Sequence, residues 1–338
     1  MKKILVTGGA GFIGSHTVVE LHNAGYEPVL IDNFSNSQRS VLQGIKNITG
    51  KEFTFYEADC NEPNTFRSIF KQHKIEGIIH FAAYKAVGES VKEPLKYYSN
   101  NLNSLINLLE SMLELGVNNL VFSSSCTVYG QPDALPVTEN APIKKAESPY
   151  GNTKQIGEEI IIDACAANAS LHAISLRYFN PIGAHPSAEI GELPLGIPGN
   201  LVPFITQTAA GIREKLTVFG NDYDTPDGSC IRDYIHVVDL AKAHVKAFEL
   251  LDKKTAGFYD FFNIGTGKGS TVLEVVKGFE KVTRKNLNYW IGPRRPGDVE
   301  KVYAAVDKST KELNWKTELS LETALEDAWR WQQRLQQK

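Results

Sequence analysis

Residues 3–16 read KILVTGGAGFIGSH, an apolar run (Ile4-Leu5-Val6) that enters three glycines spaced three apart, Gly8, Gly11 and Gly14. This is how a parallel strand turns tightly into a helix whose N-terminus faces a pyrophosphate. Gly8 supplies unusual backbone angles for the turn, Gly11 lets the chain approach the phosphates, and Gly14 lets the helix pack closely on the strand. Free N–H groups at the helix start then bind the anion without a basic side chain. The pattern Ile13, Thr17, Leu21 continues the turn as a helix. A bare glycine turn is the alternative, and the acidic residue downstream weighs against it.

That residue is Asp32, 18 positions after Gly14 at the end of a second apolar run, Pro28–Ile31. A carboxylate at this spacing meets the adenosine ribose hydroxyls and repels a 2′-phosphate, which favours NAD over NADP. Two observations compete. Arg39 lies close enough in sequence to hold a 2′-phosphate, and Asp32 could instead cap the next helix, a task open equally to Asn33, Ser35 and Asn36.

Strand-like segments at 3–7, 27–32, 53–59, 77–82, 119–124 and 172–178 alternate with helical patterns at 12–24, 37–48, 62–73, 96–115 and 149–168. Such alternation predicts an α/β fold, a doubly wound parallel sheet (Rossmann), with a smaller mixed α/β lobe after it. After Asn180 a long stretch rich in proline and glycine breaks the pattern, and a loop of that length in a compact protein is usually functional. Helices are expected to start at Asp239 and Ser320 as N-caps, and Phe261–Ile264 is expected to return to the main sheet. Trp329 and Trp331 read as core.

With 338 residues, 42% hydrophobic content and a formal charge of −3, the chain reads as a soluble enzyme without nucleic-acid or membrane partners. Lys2 and Lys3 precede too short an apolar run for a signal peptide. Cys60, Cys126, Cys165 and Cys230 are scattered, which suggests reduced cytoplasmic thiols rather than disulfides, and no metal site.

Tyr150 and Lys154 sit one turn apart on a predicted helix and project from one face. Among 13 tyrosines roughly one such spacing arises by chance, so position decides. The pair follows the fifth strand, whose end carries Ser123, Ser124 and Ser125, and ligands of parallel sheets bind at strand carboxyl ends. A phenol near pKa 10 becomes a useful base when an ammonium and a cationic nicotinamide favour its phenolate. Ser125 could share the same substrate oxygen. The bland readings are a tyrosine packed beneath a loop and a solvated lysine.

TGGAGFIGSH, the Ser125/Tyr150/Lys154 set and the alternating topology resemble the extended short-chain dehydrogenase/reductase family. KAVGESV (85–91), FSSSCTVYG (122–130), SPYGNTK (148–154), RYFNPIGAHPS (177–187), GNDYDTPDGSCIRDYIHV (220–237) and PRRPGD (293–298) resemble, within it, the UDP-glucose 4-epimerases over nearly the whole chain. The resemblance implies that Tyr150 takes the proton from the sugar 4-hydroxyl, that Lys154 tunes it and holds the nicotinamide ribose, and that Ser125 assists. Phe12, Ile13, Asp32, Asn33, Ser37, Asp59, Cys60, Phe81, Ala82, Lys85, Asn100 and Tyr178 are then expected to line the NAD pocket. Asn180, Asn200, Leu201, Phe219, Arg232, Arg295 and Asp298 are expected to hold the UDP-sugar. The arginines make independent sense, since a diphosphate needs charge-assisted donors, although a lone arginine is more often in a surface salt bridge. The implied domains are 1–180 for NAD, rejoined by about 230–265, and 181–338 mainly for the UDP-sugar, interleaved with it. The implied chemistry is closed-cycle redox: the C4 hydride leaves for NAD, the sugar turns, and the hydride returns to the other face.

Rival readings are a 4,6-dehydratase, a uronate decarboxylase and a non-catalytic NAD-sensing regulator. Dehydratases carry Asp-Glu directly after the residue matching Ser125, where this chain has Cys126 and Thr127; decarboxylases carry a Glu at the place of Thr127. Sensing regulators lose the Tyr/Lys pair, which is kept here. Where narrow-specificity epimerases carry a bulky tyrosine, this chain has Val302 with Tyr303 one place later, so UDP-N-acetylglucosamine is an expected further substrate unless a neighbour fills the gap. The family also implies a homodimer through helices near 96–115 and 149–168, for which Leu102, Leu105, Ile106, Leu109, Ile156, Ile160 and Ile161 are candidates, though internal packing explains them as well.

Overall fold

The computed structural model describes every residue except Ala256, Pro296, Gly297 and Lys338. Its strands in chain order begin with β1 (Lys3–Thr7), β2 (Glu27–Asp32), β3 (Thr54–Glu57), β4 (Ile75–His80), β5 (Asn119–Ser123), β6 (His172–Tyr178) and β7 (Asn180–Ile182). They continue with β8 (Leu216–Phe219), β9 (Ile231–Arg232), β10 (Tyr234–His236), β11 (Phe258–Ile264), β12 (Ser270–Thr271), β13 (Tyr289–Gly292) and β14 (Lys301–Val302). The first helices are α1 (Phe12–Asn23), α2 (Ser40–Thr49), α3 (Thr65–Gln72), α4 (Val87–Lys92), α5 (Pro94–Leu115) and α6 (Pro149–Ala167). The rest are α7 (Leu201–Ala209), α8 (Val237–Leu251), α9 (Val272–Thr283), α10 (Asp307–Glu312) and α11 (Leu321–Gln336).

The main sheet is parallel, with order β11-β6-β5-β4-β1-β2-β3. Alternation along the buried strands separates its two faces. Ile4, Val6 and Leu30 meet α1, α2 and α8 through Val18, Leu21, Ile45, Leu240 and Phe248. Leu5, Val29 and Ile31 meet α3, α5 and α6 through Phe66, Ile69, Leu108, Met112 and Ile161. Strand order reverses between β1 and β4, the crevice where doubly wound sheets bind ligands. A second lobe of small two- and three-stranded sheets packs Val202, Val275, Phe279, Leu325 and Trp329 into its own core.

Four details differ from the sequence reading. Helix α8 starts earlier than Asp239: His236 is its N-cap, its ring accepting from Val238 N at 3.1 Å. Asp239 is fully buried and accepts instead from the amides of Glu318 and Leu319. Helix α2 is capped by none of Asn33, Ser35 and Asn36, because Arg39 occupies its N-cap without a side-chain bond. The short α4 escaped detection, six residues being too few to show a period. Finally, Leu105, Leu109 and Ile161 belong to the internal core and have no surface to give to a partner subunit. The expected cap at Ser320 and the strand Phe258–Ile264 beside β6 are present.

Candidate active site

The glycine loop is built by close approach. Gly8 has φ +66°, which L side chains rarely adopt, and a Cβ there meets Ala82 N at 3.1 Å. A Cβ on Gly14 falls 2.1 Å from Gly8 O, so only glycine lets α1 sit so near the turn. Helix α1 begins at Gly11 with no side-chain cap and no acidic residue in its first turn. Phe12 and Ile13 form that turn, and their amide end is matched to an anion. The residues therefore fit a dinucleotide.

Asp32 is buried at the end of β2 and accepts from Ala10 N (3.1 Å), Phe34 N (2.9 Å) and the Ser37 hydroxyl (2.8 Å). It thus organises the ribose-side loop as well as offering a carboxylate. Arg39 is paired with Glu57 and lies over the Phe34 ring. Asn33 donates to Asp59 at 3.1 Å, and Asp59 also accepts from Asn61. Those hydrogen bonds hold the Asp59 carboxyl low, although burial pushes the other way. Cys60 is buried beside it, its thiol pushed far up by that burial. Asn100 accepts from Asn61 at 3.0 Å, and Phe81 and Ala82 donate their amides to Thr7 Oγ1.

Tyr150 stands in the first turn of α6, which starts on Pro149 with the Ser148 hydroxyl accepting from Gly151 N at 3.2 Å. Proline at the first helical position and a serine cap fix this start, and with it the aim of Tyr150. Lys154 Nζ lies 5.9 Å from the Tyr150 ring centre and donates to Ser123 O at 2.6 Å. Burial lowers the Lys154 ammonium to about 8, opposed by the Glu158 charge. The Tyr150 phenol does not go down as the pair alone suggested. Burial pushes it well up, the neighbouring Tyr178 adds to this, and a hydrogen bond with Ser125 only partly opposes it. A buried phenolate loses more hydration than one ammonium some ångströms away returns. Ser125 caps the 3-10 turn Cys126–Tyr129, accepting from Thr127 N at 3.2 Å. Tyr178 and Ser123 share a 2.5 Å hydroxyl contact.

On the other side of the crevice, Asp298 accepts from Arg295 Nη2 at 2.6 Å and from Arg232 Nη2 at 3.5 Å. The Arg295 guanidinium lies 5.6 Å from the centre of the exposed Phe219 ring. Asn180 begins β7, beside β10. Asn200 donates to Glu192 at 2.6 Å, and Lys85 reaches the same carboxylate at 3.5 Å. Leu201 opens α7 against the second-lobe core. Val302 is buried with Val128, Val137 and Phe179, whereas the ring of Tyr303, just past the end of β14, lies beside Gly269.

Sequence reasoning missed the residues behind these groups. Asp233 accepts from Thr266, Gly267 and Ala304 amides and fastens the strands carrying Arg232 and Val302. Asn101 ties Tyr84 to Thr153 on α6. Glu158, Arg177 and Glu192 likewise read as ordinary charges, since their partners are remote in sequence.

A glycine turn at the switch point, with a serine, tyrosine and lysine gathered at the neighbouring strand ends, defines a nucleotide-dependent enzyme of the extended short-chain dehydrogenase/reductase class. The family model described as GDP-mannose 4,6 dehydratase matches residues 5–328. A Bacillus subtilis protein named UDP-glucose 4-epimerase is 53% identical over 329 residues, covering 97% of this chain and 96% of that one. The crystal structure of UDP-glucose 4-epimerase from Bifidobacterium longum with NAD+ and UDP superposes with TM-score 0.95 at 45% identity, covering 98% of both chains. The UDP-Glc/GlcNAc 4-epimerase of Campylobacter jejuni superposes with TM-score 0.85 at 36% identity, covering 99% of this chain and 100% of that one. The chain belongs to the UDP-glucose 4-epimerase family. Local chemistry agrees against dehydration: burial pushes the Cys126 thiol up to about 12, and Thr127 offers only a hydroxyl.

Proposed function

We propose that this protein interconverts UDP-glucose and UDP-galactose by transient oxidation at C4 with tightly held NAD. The observation that carries the reading is the meeting of Ser125, Tyr150 and Lys154 at the end of β5, two strands from the glycine loop. Gly8, Gly11 and Gly14 with Phe12 and Ile13 hold the pyrophosphate, and Asp32 takes the adenosine ribose, with Asn33, Ser37, Asp59, Cys60, Phe81, Ala82, Lys85, Asn100 and Tyr178 around the cofactor. When bound, NAD accepts and returns the C4 hydride, and its cationic ring adds the positive charge that a buried phenolate needs. Tyr150 holds the 4-hydroxyl proton, Ser125 fixes the same oxygen, and Lys154 supplies the nearby ammonium. Arg232, Arg295 and Asp298 hold the diphosphate end, with Phe219, Asn180, Asn200 and Leu201 along the nucleotide.

Val302 leaves room beside C2, and the ring of Tyr303 lies beside Gly269, so N-acetylated UDP-hexoses are substrates too. Residues 1–180, rejoined near 230–265, form the NAD domain, and 181–338 mainly the UDP-sugar domain. The protein works in the cytoplasm as a homodimer through α5 and α6, where Ile106, Leu113 and Ile162 remain exposed; sedimentation tests this. The deciding experiment supplies UDP-glucose to the purified protein and follows UDP-galactose. Its appearance, with nicotinamide co-purifying, supports the reading; bound NAD without it removes the reading.

A further inference from the structure

Directly beneath the Tyr150/Lys154 pair lies a second, wholly internal set of charges. Glu158 follows Lys154 by one helical turn and is 6% exposed at its side chain, and Arg177 on β6 is 5% exposed. Arg177 grips the carboxylate through two nitrogens, Nε to Oε1 at 2.9 Å and Nη2 to Oε2 at 2.5 Å. Glu158 Oε1 also accepts from the Ser124 hydroxyl. Arg177 further donates to Tyr129 OH at 3.0 Å, and Tyr129 donates to Asn263 on β11 at 2.7 Å.

The consequence lies in the tripeptide leaving β5. Ser123 is held through its carbonyl by Lys154 and through its hydroxyl by Tyr178; Ser124 is held by Glu158; Ser125 faces the substrate oxygen in the reading above. One face of α6 thus presents an ammonium and a carboxylate to consecutive residues, and β6 braces both through Arg177 and Tyr178. A buried ion pair brings little net stability, because desolvation offsets attraction, so such a pair is better explained by what it fixes. We infer that Glu158, locked by Arg177, is a positioning residue that sets the place of Ser125 and stands as the anion one helical turn from the Lys154 ammonium beside Tyr150. This rests on the proposed epimerase reading.

The charge balance around Lys154 supports the second half. Its facing groups are Tyr150 and Glu158 on its own helix, His80 on β4, and the Phe122 ring with the Ser123 carbonyl on β5. Around Glu158 lie Arg177 on β6, Tyr259 on β11 and Tyr129, with Glu139 near Tyr129. Burial keeps His80 neutral, lowered to about 3. Glu158 is thus the anion that favours the charged lysine.

The test uses NAD-loaded enzyme and two variants. In Glu158→Gln/Arg177→Met both charges of the pair go together, so neither member is left without the other, and the glutamine still accepts from Ser124. The [ε-13C]lysine signal of Lys154, assigned with Lys154→Met, is titrated. The expected midpoint is about one pH unit lower than wild type, with the alkaline limb of kcat moving the same way. In Ser124→Ala the ion pair stays and only the tie to the strand exit goes. There kcat is expected to fall roughly tenfold with KM for UDP-glucose unchanged. A wild-type Lys154 midpoint in the double variant, or unchanged kcat in Ser124→Ala, overturns the inference. If the double variant does not fold, Ser124→Ala decides the placement of Ser125, and the Lys154 midpoint is read in Glu158→Gln, where an unchanged midpoint overturns the second half. Failure of the epimerase reading shows separately, as wild-type protein that makes no UDP-galactose.

Discussion

Lys154 Nζ donates to the carbonyl of Ser123 at 2.6 Å, so the ammonium that serves Tyr150 is also the clasp closing α6 onto β5. The two tasks predict different variant behaviour. Tyr150→Phe removes only a hydroxyl, whose loss leaves the clasp intact. Turnover of UDP-glucose is expected to fall at least about 100-fold, with the thermal midpoint and co-purifying nicotinamide retained. Lys154→Met also leaves a buried carbonyl without its donor, and is expected to lose stability as well as turnover. Calorimetry beside the coupled assay separates them; equal stability losses in both variants contradict the assignment.

Asp298 holds Arg295 and, at longer range, Arg232. It is an anion set among cations that are to meet a diphosphate, so its part is to aim them. Asp298→Ala is expected to raise the dissociation constant for UDP about tenfold or more, one lost charge-assisted arrangement. Titration calorimetry with UDP checks this. Tighter binding of UDP in the variant contradicts it, since removing mere charge repulsion gives that outcome.

Val302 sits in an apolar cluster behind the turn that carries Ser125. Val302→Tyr forces a ring into this packed cluster, at an overpacking cost of about 1–3 kcal/mol, and drives the added volume towards the sugar. The ratio of N-acetylated to plain-sugar turnover is expected to fall at least tenfold, measured by product chromatography on both substrates. An unchanged ratio assigns the selectivity elsewhere.

The glycine loop, Asp32 and the Tyr150/Lys154 spacing were legible because each is local: a turn, a strand end, one helical turn. The sheet was legible through apolar runs that strand burial on both faces requires. Glu158 and Arg177 are 19 residues apart and meet only once α6 lies against β6; in sequence Glu158 is one of several charges on an ordinary helix. Asp233 and Glu192 were hidden for the same reason. The expected lowering of the Tyr150 phenol failed because motif spacing carries no record of burial, which dominates that group.

Burial leaves a further mark on pH response. His16, His80 and His244 are enclosed by the packing of α1, β4 and α8, and burial lowers the first two to about 3 and the third to about 4. Each is neutral in the folded chain at pH 5 and protonated in the unfolded chain, whose histidines titrate near 6.5. The unfolded state therefore binds more protons, so stability is fully present above about 6.5 and is lost as pH falls towards 4. Each histidine contributes up to about 1.4 kcal/mol per pH unit in that window. Among the described residues the His244 ring donates to Leu240 O and packs against Phe81 and Tyr178, 4.6 and 5.9 Å between ring centres. His244→Gln is thus expected to flatten the fall in unfolding free energy between pH 6.5 and 5, measured by urea titration at each pH, by up to one proton's slope. An unaltered slope shows that His244 charges within the folded state and that its burial does not control its titration.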